Sequence, residues 1–356
     1  MVSLPSAPLV TIRLLSGNAL TDRMPQLVQF VHRDELASPD HHPLWLYVLR
    51  DGLGHQPYAL EATHGDTTCG YLPLCYMRST LFGRYLVSLP YLNSGGVIAD
   101  DEVVRRQLID HAVALAQDLK VKHLELRHEQ AIEHPLLNGS ASTKVHMRLK
   151  LPDFPGPLWE SFPAKVRNLV RKGEKSGLTV HWGRLDLLPD FYDVFSRNMR
   201  DLGTPVYGRR FFRAILSHFV DEAELCVVRL GQQAIAAALL LHGKGVTQVP
   251  SASSLREFNN TSANMLMYWH LLDRAIERKQ AVFDFGRSTI DSNTYAFKKQ
   301  WGAEPEGAVW QYHLRDGNTV DLRPENPKMQ RLIRIWQRLP VRLTRWIGPG
   351  IVRGIP

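Results

Sequence analysis

Two stretches decide the fold: LPYLNSGGVIADDEVVRRQLIDHAVALAQDLKVKHLELR, Leu89 to Arg127, and VPSASSLREFNNTSANMLMYWHLLDRAIERKQAVFDFGR, Val249 to Arg287. They run in parallel without a gap, Pro90 matching Pro250 and Arg127 matching Arg287. Each reads as a strand end, a polar loop, an amphipathic helix and a short strand that closes on an acid and an arginine. The first helix spans Glu102 to Leu119, with Val103, Leu108, Ala112, Leu115 and Leu119 on one side; in the second, Met265, Trp269, Leu272 and Ile276 keep the same spacing. A strand, helix, strand unit of roughly 35 residues suits a parallel crossover. The chain therefore predicts a duplicated α/β fold with a mixed sheet in each half.

Working outward, Leu225–Leu230, Ala234–His242 and Val246–Val249, separated by glycine turns, read as an antiparallel meander before the second copy. Leu44–Arg50, Tyr58–Thr63 and Thr67–Tyr76 read as the corresponding strands before the first. Helices are expected at Asp22–His32, Leu187–Leu202 and Arg209–Phe219. Between the halves, WESFPAKVRNLVRKGEKSGL (159–178) reads as one amphipathic helix ended by Gly177. The expected organisation is an N-terminal domain over 1–152, a C-terminal domain over 153–320 and a tail over 321–356.

Composition narrows the class. The chain has 356 residues, 44% hydrophobic and 22% charged, enough for two cores. The longest apolar run, AIAAALLL (234–241), falls far short of the roughly 20 residues that span a bilayer. The N-terminus lacks a basic leader region, so a cytoplasmic location is expected. Cys69, Cys75 and Cys226 show neither metal-ligand spacing nor an even count, and read as buried thiols. From Val320 onward eight basic residues face two acidic ones, so most of the net charge of +8 lies in the tail. A nucleic-acid binder is disfavoured for the nearly neutral body.

The second copy continues into FDFGRSTIDSNTYAFKKQWGAEP, Phe283 to Pro305. Asp284, Arg287 and Ser288 stand at the carboxyl end of a sheet strand, where ligands of α/β folds bind. Arg287 there either grips a phosphate or carboxylate, with Ser288 donating, or closes the strand end in an ion pair with Asp284. Tyr295 and Tyr207 either move a proton or pack. Lys298 and Lys299 by themselves read as a solvated pair at a helix start.

The duplicated unit, the basic helix RNLVRKGEKSGL and the run DFGRS…YAFKKQWGAEP resemble the Fem-type peptidoglycan-bridge aminoacyltransferases, built from tandem copies of the GNAT acyltransferase fold. The wording of SLPYLNSGG, FPAKVRNLVRK, RNMRDLGTPVY and SSLREFNN is similar to the Fem-like proteins associated with exosortase and PEP-CTERM systems. The resemblance spans roughly Leu44 to Trp310. It implies transfer of an acyl or aminoacyl group, from aminoacyl-tRNA or acyl-CoA, to an amine of an envelope or exopolysaccharide precursor, with no tightly bound cofactor and no metal. Phe297-Lys298 matches the Phe-Lys pair of these enzymes, which implies that Lys298 meets the reacting acyl region. The stripe Arg167, Arg171, Lys172 and Lys175 would meet donor phosphates or tRNA; otherwise it is a solvated face. CoA-dependent GNAT enzymes carry a glycine-rich loop before the equivalent helix. Here SSLREFNNTSANML has no glycine, so Arg256 and Asn264 would serve another donor or the acceptor. The first copy lacks the Phe-Lys continuation, so the first half is expected to be catalytically degenerate and to help bind the acceptor. An alternative is a degenerate transferase acting as a membrane-associated scaffold.

The tail PKMQRLIRIWQRLPVRLTRWIGPGIVRGIP (327–356) alternates arginines with Leu, Ile and Trp, interrupted at Pro340. Such a composition either lies at a membrane interface, here the inner membrane, or packs its apolar face on the body.

Overall fold

The computed structural model describes residues 10–80, 82–315 and 327–355. Among them are two sheets. The first contains β1 (Val10–Leu15), β2 (Gln56–His64), β3 (Thr67–Ser79), β4 (Gly83–Val87), β5 (Ile98–Ala99), β6 (His123–His128), β7 (Gly139–Ala141) and, from far downstream, β15 (Val309–Leu314). The second is ordered β14-β8-β13-β12-β11-β10-β9, from β8 (Lys144–Lys150), β9 (Leu178–Gly183), β10 (Ala223–Leu230), β11 (Gln233–Gly243), β12 (Val246–Ser254), β13 (Val282–Thr289) and β14 (Glu304–Gly307).

The sequence repeat is a structural repeat. β4 pairs parallel with β6 across α3 (Glu102–Asp118), and β12 pairs parallel with β13 across α8 (Ala263–Glu277). The halves also exchange strands. β8, which precedes residue 152, pairs with β13 in the second sheet, while β15 pairs with β6 in the first. The residues before 152 thus lend one strand to the second sheet, and those after it lend one to the first.

Burial explains the elements. In β11, Ala237, Leu239 and Leu241 enter one core while Ala236, Ala238 and Leu240 enter the other, so a strand covered on both faces reads as an unbroken apolar run. The first of these cores is shared: α1 (Gly17–Arg33) and α2 (Leu44–Leu53) meet α6 (Leu188–Leu202) and α7 (Arg209–His218) from the second half. Leu44–Arg50, expected as a strand, is the helix α2. Trp45, Leu46, Val48, Leu49 and Leu53 bury one face at helical spacing, and Gly54, at φ +72°, ends it. Segment 159–178 is two helices rather than one, α4 (Pro155–Ser161) and α5 (Ala164–Lys175), because Pro163 stands between them. All three cysteines are buried free thiols.

The tail forms α10 (Pro327–Gln337) and α11 (Val341–Val352), split at Pro340, and both lie on α6. Trp336 is buried, and Arg345 donates to Ser196 Oγ at 2.8 Å and to Asp193 Oδ1 at 2.5 Å. Among the described residues no helix is long and apolar enough to cross a membrane.

Candidate active site

β12 and β13 pair only at Val246–Val282, Thr247–Phe283 and Gln248–Asp284, then part. Beyond that point the chain leaves a cavity of about 290 Å³, lined by Gln248, Val249, Pro250 and Ala252 on one side and Asp284, Phe285, Gly286 and Arg287 on the other. Tyr268 of α8 and Lys298 of α9 (Asn293–Lys299) close its back. Asp40, Tyr91, Leu92 and Asn93, all from the first half, form the remaining wall.

DFGRS performs a specific bend here. The β13–β8 register shifts between Asp284 and Arg287, and Gly286 sits at φ +76°, a conformation that a side chain disfavours. The bend turns two carbonyls toward α9, and Lys298 Nζ donates to Gly286 O at 2.9 Å and Arg287 O at 3.0 Å. Lys298 is only 8% exposed, so the solvated reading of the doublet fails for it and holds for Lys299, which is exposed. Burial lowers the Lys298 ammonium to about 8, with Asp284 pulling the other way. An ammonium has three protons, and two are taken by carbonyls, which leaves one for the cavity.

Asp284 does not pair with Arg287. Its carboxylate takes Arg148 Nε at 3.1 Å and the Gly286 amide at 2.7 Å, with His146 Nδ1 at 3.5 Å. Burial alone would raise this carboxyl, but His146 and Arg148 outweigh it and hold it below the ordinary value. Arg287 is left without a carboxylate among the described residues. Its Nε reaches Asn93 Oδ1 at 3.4 Å and its guanidinium lies 3.5 Å from the Trp310 ring centre. Arg127, its counterpart in the repeat, lies 3.9 Å from the same centre. Two groups that close to one ring cannot share a face, so the duplicated arginines bracket Trp310. Burial and then Arg127 push the Arg287 guanidinium down to about 9. Ser288 is buried with its Oγ unpartnered.

Asp40 was not legible from sequence. Its Oδ2 accepts the Asn93 amide at 3.1 Å, the Ser94 amide at 2.9 Å and Ser94 Oγ at 3.1 Å. Burial raises its pKa against these donors, and Asp284 adds to the rise.

In the first sheet the equivalent parting of β4 and β6 is filled. Arg127 donates to Glu125 Oε1 at 2.7 Å and Leu92 O at 2.7 Å, and Ser88 Oγ accepts the Arg127 amide at 2.8 Å. The loop Leu89–Gly96, with Leu89 and Tyr91 at positive φ, folds over that end and presents Tyr91 and Asn93 to the cavity of the second half. A methyl at Gly96 would lie 2.0 Å from Cδ2 of buried His128, whose ring is held by Gln311 at 3.0 Å. Gly96→Ala is therefore expected to cost about 1–3 kcal/mol, read by urea unfolding. An unchanged midpoint would contradict this packing.

Residues 160–299 match the family model described as Acetyltransferase (GNAT) domain. The fold is that of two GNAT-like units in tandem. Solved structures agree: FemX superposes with TM-score 0.62 at 13% identity, covering 88% of this chain and 98% of its own. A tandem GNAT protein from the clavulanic acid biosynthesis pathway gives 0.55 at 11%, covering 88% and 100%. The structure of L-PGS from Bacillus licheniformis gives 0.54 at 11%, covering 89% and 97%. No curated protein matches by sequence.

Within this GNAT frame, the cavity brings together Asp284, Arg287 and Lys298 of the sequence-derived candidates. Phe297 packs edge-on to Tyr268 at 4.9 Å, and Tyr295 packs against the same core; neither lines the cavity. Tyr207 is packed between Tyr91 and Phe211, its hydroxyl raised to about 12 by burial. Arg256 is exposed, Asn264 is half-buried, and neither reaches the cavity. In the basic stripe, Arg171 lies over Trp159 at 5.5 Å and Arg167 is half-buried, both away from the cavity. The first turn of α8 is covered by α5, where Gly173 lies against Leu266 and the Ser262 carbonyl. Among the residues missed, Asp40 and Gln248 carry no motif, and Tyr91 and Asn93 lie in a stretch that sequence does not assign to the site. Asp40 follows a Ser-Pro turn, and Tyr91 and Asn93 sit in the loop SLPYLNSGG, whose role depends on where the first half lies.

Proposed function

We propose that the chain is an N-acyltransferase or aminoacyltransferase whose reaction takes place in the cavity where β12 and β13 part. The observation that carries this is the half-buried guanidinium of Arg287, without a carboxylate partner among the described residues, at the parting of the parallel strands where Lys298 also lines the cavity with one proton uncommitted. Two partly desolvated cations, neither in a direct ion pair among the described residues, form a place for developing or fixed negative charge.

In the proposed reaction a neutral amine attacks the carbonyl of an ester or thioester donor. The carbonyl oxygen becomes an oxyanion and accepts from Lys298. As the tetrahedral intermediate collapses, the C–O or C–S bond breaks, the amide forms and the leaving oxygen or sulfur takes up the proton that the attacking nitrogen gave to Asp40, departing as an alcohol or thiol. Asp284 is held ionised by Arg148 and is a weak base; Asp40, raised by burial, is the wall group suited to take the proton of the amine. Arg287 holds a phosphate or carboxylate of a substrate. The resemblance to Fem-type enzymes points to an envelope precursor as the acceptor, and the absence of glycine before α8 favours aminoacyl-tRNA over acyl-CoA as the donor.

The test supplies purified protein with labelled acetyl-CoA and, separately, with a labelled aminoacyl-tRNA mixture, each with a lysine-bearing muropeptide as the amine. Amide formation from one donor, reduced about tenfold or more in Arg287→Gln, is the expected result. No amide from either donor would overturn the reading.

A further inference from the structure

The tail helices rest on the body with one face and leave another uncovered. Inward, Trp336, Thr344, Gly348 and Val352 are buried, and Gly348 approaches the Val206 backbone so closely that an added methyl would lie 2.9 Å from its nitrogen. Outward, Trp346 is 80% exposed, Leu332 59% and Ile335 51%, with Leu343 also open to solvent. α10 and α11 both lie on α6, and each keeps exposed apolar side chains, Leu332 and Ile335 on the first and Leu343 and Trp346 on the second. Arg331, Arg334, Arg338 and Arg342 stand among these apolar residues, exposed and without an ion pair among the described residues. Residues 327–355 contain no acidic side chain.

Charge and apolar surface together select the occupant. A second copy would bring like-charged faces together. An RNA would engage the arginines but leave Trp346, Leu332 and Ile335 in water. A bilayer surface rich in anionic phospholipid accommodates both, the arginines at the headgroups and the apolar side chains at the acyl boundary. We propose that the outer face of α10–α11 docks on an anionic membrane surface. The docked face also bears on the cavity: the Tyr91 hydroxyl, on the cavity wall, donates to the carbonyl of Arg353 at 2.9 Å. The tail thus touches the cavity wall directly. This docking does not depend on the acyl-transfer reading and stands or falls separately from it.

The test is co-sedimentation of the full-length protein with vesicles of phosphatidylcholine alone and of phosphatidylcholine with phosphatidylglycerol, at low and high salt. Binding to the phosphatidylglycerol vesicles, weakened by salt and absent with phosphatidylcholine alone, is expected. Each arginine at such a surface is worth about fivefold in partitioning, so the combined Arg331→Gln, Arg334→Gln, Arg338→Gln and Arg342→Gln variant should bind about a hundredfold or more weakly. These exposed substitutions leave the packed face untouched, which an unchanged circular dichroism melt will verify. The emission difference between wild type and Trp346→Phe should shift to the blue on adding vesicles. Equal sedimentation of the arginine variant, no sedimentation with phosphatidylglycerol vesicles at low salt, or capture of a transfer-RNA mixture without vesicle binding would each overturn the proposal.

Discussion

Replacing Lys298 with methionine is expected to lower turnover about a hundredfold or more, the effect of deleting a fixed donor at an oxyanion. The substitution keeps the length of the side chain and removes the charge. It also strips Gly286 O and Arg287 O of their donor, so a stability loss of about 1–2 kcal/mol should accompany it. The two effects separate by pH. Burial places the ammonium at about 8, so it is charged below that value and neutral above it. The rate of the wild type should therefore fall as pH rises through about 8, and this limb should vanish in Lys298→Met. Turnover of the variant within about threefold of the wild type would remove Lys298 from the reaction.

The largest expected loss of stability comes from Arg148→Ala. One guanidinium holds three carboxylates: Glu129 at 2.6 and 2.9 Å, Glu306 at 2.7 Å and Asp284 at 3.1 Å. Asp284 is 1% exposed. Without Arg148 its charge stays buried with only His146 at 3.5 Å and one amide, a situation that costs about 3–5 kcal/mol. Asp284 and Glu129 both lie below their ordinary pKa in the folded chain. Their contribution is complete above the unfolded values and is lost as pH falls through the carboxylate range. Denaturant titrations should show the gap between Arg148→Ala and wild type at neutral pH, and should show it narrowing in acid. A gap below about 1 kcal/mol at neutral pH would mean that the three carboxylates find water or other partners.

Much of the fold is legible along the chain because helical and strand periods are local signals. The repeat at Leu89 and Val249 gives the two parallel crossovers, and the run Ala234–Leu241 gives the doubly covered strand. Leu44–Arg50 is misread because a short, nearly continuous apolar run fits either period; it becomes a helix by packing against α7, which lies far along the chain. The exchange of β8 and β15 between sheets is set by long-range pairing, Arg148 with Asp284 and Trp310 with Arg127, and no local pattern announces it. The site divides the same way. Arg287, Asp284 and Lys298 belong to one continuous motif and are found together. Asp40 and Asn93 reach the cavity only because the first half folds its loop over the second, and their identities as wall residues depend on that contact. Tyr207 and Arg256 carry suitable chemistry, but packing in the first case and exposure in the second take them elsewhere.

The central claim is that the donor's reactive carbonyl sits between β12 and β13. The most direct measurement is a crystal structure with a non-hydrolysable aminoacyl-tRNA end or acyl-CoA analogue, whichever binds. The acyl carbonyl is expected in the cavity of Gln248, Tyr268 and Arg287, with its oxygen within hydrogen-bond reach of Lys298 Nζ. The acyl group in the neighbouring groove of about 930 Å³ bounded by Glu35, Glu129 and Glu304, which Lys298 does not line, would be the opposite result.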